Sequence, residues 1–82
     1  MIVSKLSIRP TDHYHKYHSD VSWILVIKAI LSPTKTKVDK RYGKNRFTYI
    51  RKSKKYMIKI HVEKDDAEDI IWVINAFKIS RR

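Results

Sequence analysis

The segment "IIWVINAFKI", residues 70 to 79, constrains the fold more than any other part of the chain. A nearly continuous apolar run of this length is expected to be a strand with a central place in a sheet. The sheet it needs is written just upstream. "YMIKIHV", residues 56 to 62, puts Tyr56, Ile58, Ile60 and Val62 on one face and Met57, Lys59 and His61 on the other. "RFTYIR", residues 46 to 51, separates Phe47, Tyr49 and Arg51 from Arg46, Thr48 and Ile50 in the same way. "TKTKVDKRY" alternates weakly and is polar, as expected of an edge strand. "KSKK" reads as a hairpin loop, the single glycine in "YGKN" as a turn, and the acidic "EKDDAED" as the tip before the last strand.

Ahead of the strands the period changes. "IVSKLSI", residues 2 to 8, is a first strand or an extended arm, broken at Arg9-Pro10 because proline moves the preceding residue out of helical geometry. Thr11 is expected to cap a short helix over "DHYHKYHSD", with Asp12 at its positive end. Ser19 or Asp20 then caps a second helix, "VSWILVIKAIL", which Ser32-Pro33 stops. Apolar residues surround that helix, so it is expected to be largely buried, packing on the sheet through Trp23, Ile24, Ile27 and Leu31. Trp23 and Trp72 both read as core. The expected architecture is one α+β domain over residues 1 to 82, with one or two N-terminal helices packed on an antiparallel sheet of about four strands.

Charge narrows the function. Nineteen Lys and Arg against eight Asp and Glu give +11, and the excess is local. From Lys35 to Lys55 there are ten basic residues and one acid, a net of +9, whereas five of the eight acids lie between Glu63 and Asp69. Such separation suits a polyanionic partner. Lys35, Lys37, Lys40, Arg41, Lys44, Arg46, Lys52, Lys54 and Lys55 are the expected nucleic-acid contacts. There is no cysteine, hence no disulfide, thiolate metal site or cysteine nucleophile. One glycine leaves no phosphate-cradling loop, dinucleotide fingerprint or nucleophile elbow. "WILVI" is far short of the ~20 residues that cross a bilayer, and no signal-peptide pattern opens the chain, so a cytoplasmic protein without a membrane partner is expected.

The four histidines are the remaining chemistry. His13 and His15 point apart on a helix; His15 and His18 share a face, but no third ligand is announced, so neither a metal nor a cofactor is expected. RNA can be cleaved without metal when its 2′-hydroxyl attacks the adjacent phosphate. That reaction needs a base, an acid and cations around the phosphorane. His13, Lys16, Tyr49, Arg51 and His61 are the expected catalytic side chains, with His18 assigned to bonding nearby carbonyls. The same residue types also make a plain RNA-binding surface, on which aromatics stack on bases.

"HYHKYHSDVS", residues 13 to 22, matches a helix motif of the form H-x-x-x-R-H-P-E-x-S, and "AILSP", "NRFTYIRK" and "VINAF" follow in order. On these motifs, from Thr11 to Ile79, the chain resembles the phage and prokaryotic members of the barnase, EndoU, colicin D and RelE-like nuclease superfamily. The resemblance implies a RelE-like fold and a toxin-like, metal-independent endoribonuclease, with an acidic antitoxin-like protein as partner. His13, His18 and Arg46 keep the motif. Tyr17, Asn75 and Phe77 stand where it has arginine, threonine and tyrosine. Either other side chains serve the phosphate, or the scaffold is kept as a non-catalytic nucleic-acid-binding protein or a module for an acidic protein partner. Asn75 in an apolar strand needs a hydrogen-bonding partner in any case.

Overall fold

The structure is a computed structural model that describes residues 7–39 and 45–80. The element order is β1 (Ser7–Pro10), α1 (Asp12–Tyr17), α2 (Trp23–Leu31), β2 (Lys35–Val38), β3 (Arg46–Lys52), β4 (Tyr56–Asp65) and β5 (Ile70–Ser80). The strands form one sheet in the order β1-β5-β4-β3-β2. The fold is α+β as expected, but the sheet has five strands and is mixed. β2 to β5 are antiparallel neighbours, while β1 runs parallel to β5. Arg9 and Pro10, expected to break the first strand, belong to it. An edge strand tolerates a residue without an N–H. The single glycine, with Lys40, Arg41 and Lys44, lies outside the described residues.

Local chemistry sets the helix ends. The Thr11 hydroxyl donates to the Val73 carbonyl (2.7 Å) and accepts from the Tyr14 amide (3.2 Å), so one side chain caps α1 and fastens it to β5. The α2 cap is Ser22, later than the expected Ser19 or Asp20, because residues 18–21 form the connection between the helices. That connection is held by Tyr14, whose buried hydroxyl donates to the Val21 carbonyl at 2.5 Å. α2 stops at Leu31, before Pro33, and Arg51 donates to the carbonyl of its C-cap Ser32 at 2.8 Å.

The core lies between the helices and one face of the sheet. Tyr14, Val21, Val26, Ala29 and Ile30 pack on Ile58, Ile60, Val62, Ile71, Val73 and Ala76. Val26, Ala29 and Ile30 have the i, i+3, i+4 spacing of a buried stripe. The expected packing face of α2 is therefore corrected. Trp23 and Ile27 are half-buried, but Ile24 and Leu31 are 67% and 68% exposed. A helix apolar all round offers several faces, and the Tyr14–Val21 tether fixes which one meets the sheet.

Two further expectations shift. Glu63, Lys64 and Asp65 continue β4, and the acidic turn is confined to residues 66–69, where Asp65 accepts from the Ala67 and Glu68 amides (3.1 and 3.3 Å). β5 is flanked on both sides only from Ile70 to Val73; among the described residues its second half has β4 alone as a strand neighbour. The chain leaves β1 at Thr11 to enter α1, and at that vacated edge His18 meets Phe77 with His13 behind it. No described helix is long and apolar enough to cross a membrane.

Candidate nucleic-acid interface

The sheet face opposite the helices is assembled from cross-strand rows. Arg9, Trp72, Glu63 and Arg46 form the first row, nearest the acidic turn. Asn75, His61, Thr48 and Lys37 form the second, and Phe77, Lys59, Ile50 and Lys35 the third. Ile79, Met57 and Lys52 form the fourth. Neither α1 nor α2 contributes to this face; their buried residues all belong to the core on the other side.

A β-bulge makes the rows. His61 pairs with Asn75 and Val62 with Val73, so Ile74 is an extra residue on β5. In a regular strand Trp72 and Asn75, three apart, would point to opposite faces. The extra residue shifts the phase, so Trp72 joins Asn75, Phe77 and Ile79 on the open face while Val73 and Ala76 both stay in the core. Trp72, expected in the core, instead lies half-buried beside Glu63 in an open pocket of about 290 Å³ lined by Asn45, Glu63, Lys64 and Asp65.

Of the expected nucleic-acid contacts, Lys35, Lys37, Arg46 and Lys52 share this face. Lys54 and Lys55 are exposed in the β3–β4 loop, and Lys40, Arg41 and Lys44 lie outside the described residues. Arg46 is 3.6 Å from Glu63, a distance that makes an ion pair rather than a hydrogen bond. Lys59 was not among the expected contacts, although its alternation with His61 placed it on the same face.

At the edge of β5 the face meets α1. The rings of Tyr17, His13, His18, Phe77 and His61 follow one another with centroid separations of 4.9, 5.2, 5.0 and 5.7 Å. Lys16 reaches over the Tyr17 ring at 5.4 Å. Asn75 supplies the last contact. Its amide nitrogen lies 3.0 Å from His61 Nδ1, which answers the need for a partner. With the amide donating, Nδ1 accepts and the neutral imidazole carries its proton on Nε2. His15 packs edge-on against Tyr14, away from this chain of rings.

His13, Lys16 and His61 thus belong to one row of contacts, with His18 and Phe77 standing between the two histidines and Lys16 at the Tyr17 end. Tyr49 and Arg51 do not. Tyr49 packs against the core, where burial raises its pKa above the usual phenol value, and Arg51 is spent on the α2 terminus. His18, Asn75 and Phe77 complete the cluster. Their signal in the sequence was their place in the resemblance motifs, together with the polarity of Asn75 inside an apolar strand. Among the described residues no group of three or more His, Asp or Glu is arranged to hold a metal ion. No family model, curated protein or solved structure matches this chain.

Proposed function

We propose that the protein binds RNA on the open sheet face and cleaves it as a metal-independent endoribonuclease at the histidine cluster. One observation carries this reading. His18, the C-cap of α1, and His61 of β4 both pack against Phe77, with His13 behind His18, at the margin of a face that also presents Lys35, Lys37, Lys52 and Lys59. The sequence motifs that resemble those of the RelE-like nucleases support the same activity.

In this reading one imidazole takes the proton of the ribose 2′-hydroxyl as it attacks the phosphorus. A second imidazole gives a proton to the departing 5′-oxygen, so the strand breaks to a 2′,3′-cyclic phosphate and a 5′-hydroxyl. His13, at the exposed start of α1, suits the base in its neutral form. His61 suits the acid as an imidazolium, with the Asn75 amide reversed so that its oxygen accepts from Nδ1–H and Nε2–H is the proton given up. Lys16 and Lys59 lie on either side of the cluster and offset the phosphorane charge.

Cleavage is expected to survive EDTA and to leave a cyclic phosphate. Each of His13→Ala and His61→Ala is expected to lower the rate by about 10²-fold, the usual size of one acid-base contribution, while His15→Ala leaves it unchanged. A requirement for added divalent metal, or indifference to both variants, defeats the mechanism. Tight RNA binding without cleavage points instead to a non-catalytic nucleic-acid-binding protein, in keeping with the departures at Tyr17, Asn75 and Phe77.

A further inference from the structure

We infer that the open face takes its RNA as a single strand, with separate bases stacked on Phe77 and Trp72 to either side of His61. The inference rests on the reading that RNA is the ligand, and it names the form of RNA that fits. Phe77 is 39% exposed, although it sits in the most apolar segment of the chain, and Trp72 is held out of the core by the bulge. Large rings placed on a solvent face among lysines are the pattern of a stacking platform, since every base has a face to offer and every nucleotide a phosphate. Phe77 is paired directly with Lys59, and Trp72 lies in the row of Arg9 and Arg46.

Spacing excludes a duplex. Trp72 is opposite Glu63, and Phe77 is opposite Lys59, with His61 midway between these two on β4. At the rise of a strand neighbouring rows stand about 7 Å apart, so the two rings are about 13 Å apart. That is roughly four times the ~3.4 Å step between stacked nucleotides in a duplex strand. Only bases that have left their stack can occupy successive rings, and paired bases cannot leave it. The unstacking also exposes the sugar between them, which places a 2′-hydroxyl and its phosphate beside His61. At the Trp72 end, Glu63, Asp65 and Asn45 in the pocket wall can accept hydrogen bonds from a base edge. The acidic turn beyond them ends the track.

The test uses a 2′-O-methyl oligoribonucleotide, which lacks the attacking hydroxyl, so that binding is read without cleavage. Trp23→Phe leaves Trp72 as the sole tryptophan. Its fluorescence is expected to be quenched by the single strand and left unchanged by the same sequence as a duplex. Phe77→Leu, in the otherwise unaltered chain, keeps apolar bulk without a ring and is expected to weaken single-strand binding roughly 5- to 100-fold, the range of one stacked base. Phe77→Trp is expected to bind as the parent does. Equal affinity for duplex and single strand, an unquenched Trp72, or a Phe77→Leu protein that binds like the parent each overturns the inference. So does binding of an acidic polypeptide that displaces nothing when single-stranded RNA is added. Cleavage assays fail separately: a quenched Trp72 with no cleavage leaves the platform standing and removes the nuclease, and cleavage without quenching does the reverse.

Discussion

Tyr14 is 3% exposed, and its hydroxyl donates to the Val21 carbonyl across the turn between the two helices. Burial, and after it the charge of Asp20, raise its pKa above 10.0, because both disfavour the phenolate. A phenol that ionises less readily in the folded chain than in the unfolded one adds stability that is complete below the unfolded value. That stability is lost as pH rises through the folded value. Tyr14→Phe is therefore expected to cost about 1–3 kcal/mol at neutral pH, where it orphans a buried carbonyl. It is also expected to flatten the fall in stability above pH 10. Thermal melts of the two proteins from pH 7 to pH 11 check both. The residue scale was partly legible. Thr11 announced itself as a cap and Asn75 as a polar group in need of a partner, because their chemistry is local or conspicuous. Nothing in "DHYHKYHSD" marked Tyr14 as the buried one, since its acceptor is supplied by a turn that exists only once both helices are placed.

At the scale of elements, α2 and β5 diverge from their sequence patterns for different reasons. In α2 the apolar composition predicts a largely buried helix, but only one stripe is buried while Ile24 and Leu31 are exposed, and an apolar circumference cannot say which stripe faces inward. The stripe is Val26, Ala29 and Ile30. Val26→Asp places an unpaired charge at a fully buried position and is expected to abolish the cooperative melt. Leu31→Lys, on the exposed side, is expected to change stability by no more than about 0.5 kcal/mol. A denaturant titration of the two variants separates them, and a Leu31→Lys protein that unfolds would mean the helix is rotated. In β5 the period itself is interrupted. The extra residue at Ile74 is invisible in a run where nearly every side chain is apolar. It moves Trp72 from the core to the open face and lets Asn75 meet His61.

The whole molecule is electrically sorted. Lysines occupy the open face and the β3–β4 loop, and the acids crowd the opposite end of β4. If Lys35, Lys37, Lys52 and Lys59 each neutralise one phosphate, the slope of log K against log salt is expected to be about −3 for a single strand, a loss of roughly 50-fold between 50 and 200 mM. Affinity for a 2′-O-methyl strand that is flat over that range contradicts a phosphate-dominated interface. Each lysine-to-alanine change is expected to reduce the slope by about 0.7.

What the sequence determined by itself was whatever depends on neighbours along the chain. It determined the α+β class, the hairpin order of β2 to β5, the start of α1 at Thr11, the end of α2 before Pro33, and the concentration of positive charge on the strand segment. What the tertiary structure decided depends on contacts between segments distant in sequence. The parallel pairing of β1 with β5 is one case, since its partners lie more than sixty residues apart in the chain, and Thr11 at its end is bonded to Val73. The division of the candidate residues is the other. Periodicity assigns a side chain to a face of its own element, and it could separate Arg46 from Tyr49 within β3. It could not say which face the helices would cover, or that a bulge and a vacated strand edge would set Phe77 between His18 and His61, with His13 behind His18, while Tyr49 and Arg51 turned toward the helices.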